Sequence, residues 1–155
     1  MINIVKEQKG DVLVVKLSGS IEESVDFDKL IGPAPKEILV NTKAVPRINS
    51  VGVKAWIKYF QSLSAKKTKI TFTECSMAIV EQINLISNFT CGGTVNSLYV
   101  PYLCQNCGTE SAAPYTVEQI KKLEFKMPEA KCPKCGGKAC FDDLPDEYFY
   151  FLMNG

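Results

Sequence analysis

Apolar positions recur with a period of two at the start of the chain and with a helical period further along. Residues 2–7 and 11–17, separated by Lys9-Gly10, predict a β-hairpin. Residues 36–42, with Ile38, Leu39 and Val40 in succession, predict a buried strand. Val53, Trp56, Ile57, Phe60 and Leu63 then fall at i, i+3, i+4, i+7 and i+10, one apolar stripe along a helix. Residues 69–74 return to strand pattern, and Ile79, Val80, Ile83 and Ile86 mark a second amphipathic helix that Cys91-Gly92-Gly93 breaks. Residues 97–103 predict a last strand. A strand-helix-strand-helix-strand succession requires parallel pairing with right-handed crossovers, here added to the hairpin. The expected fold class is α/β, a mixed sheet packed with helices over residues 1–103.

From residue 104 the composition changes, and residues 104–155 predict a second, smaller domain holding five of the seven cysteines. Cys104-Gln105-Asn106-Cys107-Gly108 and Cys132-Pro133-Lys134-Cys135-Gly136 are two CxxC knuckles. Two intervening residues let one tight turn aim both sulfurs at a single ion, and the following glycine permits the positive φ such a turn needs. Cys104, Cys107, Cys132 and Cys135 therefore predict a tetrahedral, structural Zn²⁺ site in a zinc-ribbon-like domain. Four thiolates leave no open position for a catalytic water. With few large aliphatics in this stretch, the metal is expected to supply much of its folding free energy. Cys75, Cys91 and Cys140 read as spare buried cysteines. Residues 116–119 predict a capping box opening a short helix through Leu123. The aromatic tail, Tyr148, Phe149, Tyr150 and Phe151, reads as a strand packed on the sheet domain, or else as an exposed docking patch.

Charge and composition narrow the function. Eighteen Lys and Arg against seventeen Asp and Glu leave +1, divided as +3 before residue 104 and −2 after it. Phosphate contact is disfavoured on that second region, so a protein rather than a nucleic acid is the expected partner. The chain has no histidine, which removes Ser-His-Asp and Cys-His nucleophile pairs and His-ligated metals; no other pair at informative spacing points to catalysis. Lys6, Glu7 and Lys9 interrupt the N-terminus where a signal peptide would be apolar, and no apolar run reaches a membrane span. Seven cysteines without a secretion signal point to a reducing compartment, and the expected location is the cytoplasm.

Between the buried strand and the first helix stands Ile48-Asn49-Ser50-Val51-Gly52-Val53. Asn49 is a good N-cap, with Ile48 and Val53 at the staple positions and Ser50 as the first helical residue. Its hydroxyl then lies beside unpaired backbone N–H groups at the positive end of the helix, where a phosphate is electrostatically favoured. Serine is also common at helix starts for capping alone. This segment, with Leu17-Ser18-Gly19-Ser20-Ile21-Glu22 and Ile38-Leu39-Val40-Asn41, resembles the STAS domain of bacterial anti-sigma factor antagonists over the first hundred residues. Family members carry L-x-G-x-L/I-D/E in the first place and D-S-x-G-L in the last, and Asn49 stands where the family has aspartate. The resemblance implies a non-catalytic protein-interaction switch. Its partner would be an anti-sigma factor or serine-kinase-like protein, bound through Glu22, Asn49, Ser50 and the following helix and released when Ser50 is phosphorylated.

Overall fold

The computed structural model describes residues 2–22 and 25–153. The hairpin forms from β1 (Asn3–Lys9) and β2 (Val12–Ser18), paired antiparallel across a tight turn in which Gly10 takes φ +62°. After a one-turn helix α1 (Phe27–Leu30), β3 (Glu37–Ala44), α2 (Ser50–Ala65), β4 (Lys69–Thr73), α3 (Met77–Leu85) and β5 (Thr94–Val95) follow. They complete a five-stranded sheet in the order β1-β2-β3-β4-β5, parallel from β2 onward.

Alternation along the strands selects one face for the core. Leu13, Val15 and Leu17 of β2, Ile38 and Val40 of β3 and Ile70 and Phe72 of β4 are buried. Against them α2 lays Trp56, Tyr59, Phe60 and Leu63, the stripe expected from its periodicity. Trp56 stacks on Phe89 and Phe72, with ring centroids 4.9 and 5.4 Å away, and its indole N–H donates to the Phe89 carbonyl at 3.0 Å.

The strand expected to close this sheet does not join it. β6 (Ser97–Cys104) lies inside a second, four-stranded antiparallel sheet of order β7-β6-β9-β8, with β7 (Glu110–Thr116), β8 (Ala130–Lys131) and β9 (Lys138–Phe141). Its inward residues Leu98, Val100, Tyr102 and Cys104 are buried, the first three in the same continuous hydrophobic cluster that fills the first sheet's core. The chain passes from the first sheet to the second at Asn96. β6 still touches the first sheet through one parallel bridge, Cys75 to Leu98, where Cys75 N–H donates to Ser97 and Tyr99 N–H donates to Cys75.

Helix α4 (Val117–Lys122) opens on the expected capping box, Thr116 and Gln119 bonding reciprocally. The tail is not a strand. Pro145, with its φ preset for a helix start, begins α5 (Pro145–Tyr148), and α6 (Tyr150–Met153) follows. Tyr148 and Phe149 are buried, Phe149 stacking on Phe141 at 5.6 Å, whereas Tyr150 is exposed. Asn84 of α3 holds the tail with both ends of its amide, donating to the Tyr148 carbonyl and accepting from Phe151 N–H.

Candidate interaction site and cysteine cluster

The start of α2 is built by two chain segments running side by side at the C-terminal end of the parallel strands. Gly19 N–H donates to Ala44, Ile21 N–H to Arg47, and Asn49 N–H to Ile21 at 3.2 Å, with Ile21 and Ile48 forming a parallel bridge. Glu22, the next residue, is thereby brought beside this turn, its carboxylate 4.0 Å from the Arg47 guanidinium. Asn49 is the N-cap, and its side-chain oxygen accepts from Gly52 N–H at 2.8 Å. Ser50 is the first helical residue and is exposed. Helix geometry leaves the N–H groups of Ser50 and Val51 without intrahelical acceptors, so the hydroxyl sits in positive potential. Glu22, Asn49 and Ser50 are thus all placed at one exposed corner.

Sequence patterning gave no reason for Gly52; the structure does. A Cβ there would lie 2.2 Å from the Ile21 carbonyl oxygen and 2.9 Å from Ile21 Cγ2. The backbone of the first helical turn rests directly on the bridge that carries Glu22. Gly52→Ala is therefore expected to force the two segments apart at a cost of about 1–3 kcal/mol, as overpacking does. A lowered thermal midpoint with faster exchange of the Asn49 amide, which donates to Ile21, would show it; unchanged stability would contradict this packing.

The two knuckles are near copies of each other. Gly108 N–H donates to the Cys104 carbonyl and Gly136 N–H to the Cys132 carbonyl, with φ +74° and +75° at the two glycines. All four sulfurs lie within 4.8 Å of one another, Cys104 to Cys135 at 3.5 Å and Cys107 to Cys132 at 3.7 Å. A disulfide needs about 2.05 Å. Four thiolates at about 2.3 Å from one tetrahedral ion stand about 3.8 Å apart, so the cluster is compatible with a metal site. Backbone N–H groups of Asn106 and Cys107 point at the Cys104 sulfur, and Lys134 N–H at that of Cys132. The side-chain amide of Asn106, reaching across from the first knuckle, and Gly137 N–H together hold the Cys135 thiol down to about 6. Such donors lower the Cys132 and Cys135 thiols toward the thiolate that a metal requires, whereas at Cys104 burial and the neighbouring thiols outweigh them and the thiol is raised.

The remaining cysteines stand apart from this cluster. Burial pushes the Cys75 thiol up to about 12, and burial also raises Cys91, as expected of inert core cysteines. Cys140, on β9, is half-buried and outside the four-sulfur group.

No known protein family and no curated protein matches this sequence. Among solved structures, the chain is similar to an anti-sigma factor antagonist from Mycobacterium paratuberculosis, with a TM-score of 0.52 and 23% identity, over 61% of this chain and 86% of that one. At that identity the likeness is one of fold. Among the described residues no helix is long and apolar enough to cross a membrane.

Proposed function

We propose that this chain is a non-catalytic regulatory protein of the STAS type. It would bind a partner protein, an anti-sigma factor or a serine-kinase-like protein, through the corner formed by Glu22, Asn49, Ser50 and the exposed side of α2. The observation that carries the reading is the exposed Ser50 hydroxyl on the first turn of a helix whose cap is supplied by its neighbour. A phosphate there would add roughly −1.5 to −2 charges to an interface built around a neutral group. Lys54, one turn along α2 and exposed, is spaced to pair with that phosphate and would be withdrawn from the partner. Zn²⁺ held by Cys104, Cys107, Cys132 and Cys135 would act structurally, in a ribbon that buttresses this platform. We place the protein in the cytoplasm, where such thiols stay reduced.

The test is capture from the native organism with Ser50→Ala and Ser50→Asp as baits. Both substitutions are at an exposed position and leave the Asn49 cap in place. A partner held by the alanine form and retained about tenfold or more weakly by the aspartate form supports a charge switch. Equal capture by both forms overturns the switch and leaves a constitutive scaffold. Phosphate at Ser50, read by mass spectrometry of protein from its own host, is the independent check. Salt-sensitive retention of DNA or RNA at low ionic strength would instead favour a nucleic-acid ribbon.

A further inference from the structure

A cleft of about 880 Å³ opens along β5, and it shares no residue with the Ser50 corner, with α2 or with the cysteine cluster. Its volume is that of a ligand site, which typically spans about 300–1,000 Å³. Helix α3 contributes Ile83 and Ile86 to the lining, and the folded-back tail contributes Phe151 and Leu152. The tail can form that wall because Asn84 pins it to α3 at both ends of its amide. β5 is the last strand of its sheet and is paired on one side only, with β4. Along a strand, backbone groups alternate between its two neighbours. Asn96 N–H donates to the Phe72 carbonyl at 2.9 Å, so Thr94 and Asn96 serve β4. The N–H and C=O of Val95 therefore turn the other way, into the cleft, which the half-buried Val95 also lines.

Charge in the cleft has one sign. Lys121 is its one charged lining residue, and it has no ion-pair partner among the described residues. Val117 N–H donates to the Asn96 carbonyl at 2.9 Å, which docks the start of α4 on the C-terminal end of β5. Lys121 follows one turn later on the same helix face, so its ammonium group belongs to that end of the strand. We propose that the cleft receives the C-terminal residues of an extended peptide, which add to β5 as a parallel strand and bring their carboxylate to Lys121. A peptide is the occupant because the free strand edge offers a backbone donor and acceptor together, between apolar walls that take its side chains. A terminal carboxylate is indicated because the charge waiting at the end of that edge is positive. β5 is two residues long and offers one such backbone pair, so binding is weak and relies on side-chain burial and the terminal charge. This site does not depend on Ser50, and its failure would leave the reading of that corner untouched.

The probe is an acetylated threonine-valine-threonine-leucine peptide with a free C-terminal carboxylate, titrated into the full chain and followed by amide NMR and hydrogen exchange. The expected result is titratable shifts at Thr94, Val95 and Lys121, with the Val95 amide protected about tenfold or more at saturation. The same peptide amidated at its C-terminus should bind about twofold to fivefold more weakly, the measure of an exposed ion pair. Lys121→Gln, at an exposed position, should cost the carboxylate peptide that same factor and leave the amidated peptide unchanged. Val95→Pro removes the outward N–H and keeps both bonds to β4, as proline on an edge strand allows, and should weaken both peptides about threefold to tenfold. Trp56 fluorescence reports that the first core is intact in each variant, and the Lys121 comparison stands even where the proline variant fails to fold. No shift at about millimolar peptide, binding without protection of Val95, or equal binding of the two peptides would each overturn the proposal. Octanoate bound as tightly as the peptide would assign the cleft to a simple apolar acid instead. Val95 protection that grows with protein concentration, without peptide, would assign it to a second copy.

Discussion

Cys132→Ser is expected to abolish stoichiometric metal retention and to disorder both knuckles while leaving the first sheet folded. If the four cysteines hold the proposed metal, its binding should supply the larger share of stability at this end of the second sheet. Cys104, Cys132 and Ala139 are buried there, and Cys107 and Cys135 are exposed. The apolar weight lies at the other end, where Phe125, Phe141, Tyr148 and Phe149 pack together. A tetrathiolate zinc centre contributes about 10–16 kcal/mol of apparent folding free energy in small peptides near neutral pH, and three ligands recover only part of that. Elemental analysis should fall from about one equivalent per chain to well below it. Amide exchange should accelerate around both knuckles, and trypsin should gain access at the exposed Lys131 and Lys134. Lowering the pH acts in the same direction on the wild type, because protons compete with the metal for the thiolates. Unchanged metal content, or knuckle amides as protected as before, would refute a structural metal at these cysteines.

Loss of the metal should not unfold the whole second region, and here the structure revises what its composition implies. Few aliphatics follow residue 104, which suggests a segment with no core of its own. The aromatic tail instead joins this region to the core shared with the first sheet, but only after folding back as helical turns onto Phe141 and α3, a long-range placement that an aromatic run does not encode. The same physics explains β6. Alternation along 97–104 reads identically whichever sheet accepts the strand, because a period of two specifies a buried face and not a neighbour. Features carried by local chemistry were legible: the Asn49 cap, the Trp56 stripe, the Thr116–Gln119 box and the two knuckles each rest on spacings of a few residues. The corner around Ser50 was legible only in part. Its serine and asparagine lie on one short segment, whereas the Arg47–Glu22 pair and the Gly52–Ile21 approach exist because a distant segment crosses beside them.

Trp56→Ala is expected to cost about 3–5 kcal/mol, a large fraction of the stability of a domain this size. Trp56 is wholly buried and is the hub of an aromatic cluster, stacked on Phe89 and Phe72, tilted against Phe60 at 4.7 Å and edge-on to Phe27 at 6.3 Å. Removing the indole leaves a cavity that stiff neighbouring rings collapse into poorly, and it strips the Phe89 carbonyl of its donor. Trp56→Phe keeps part of the stack but still loses that hydrogen bond, so it should cost less, about 1–3 kcal/mol. Urea unfolding followed by circular dichroism at helical wavelengths is the suitable measurement, since the substitution deletes the one tryptophan. The consequence reaches the Ser50 corner, because α2 is held on the sheet by this residue with Tyr59, Phe60 and Leu63. As the helix loosens, the Asn49–Ile21 and Gly52–Ile21 contacts loosen with it, and partner capture should weaken without any change at the corner itself. Metal content should stay at the wild-type level, because the cysteines are carried by the second sheet. A cost below about 1 kcal/mol would mean that α2 is anchored some other way, and the corner would then owe its placement to the Ile21–Ile48 bridge alone.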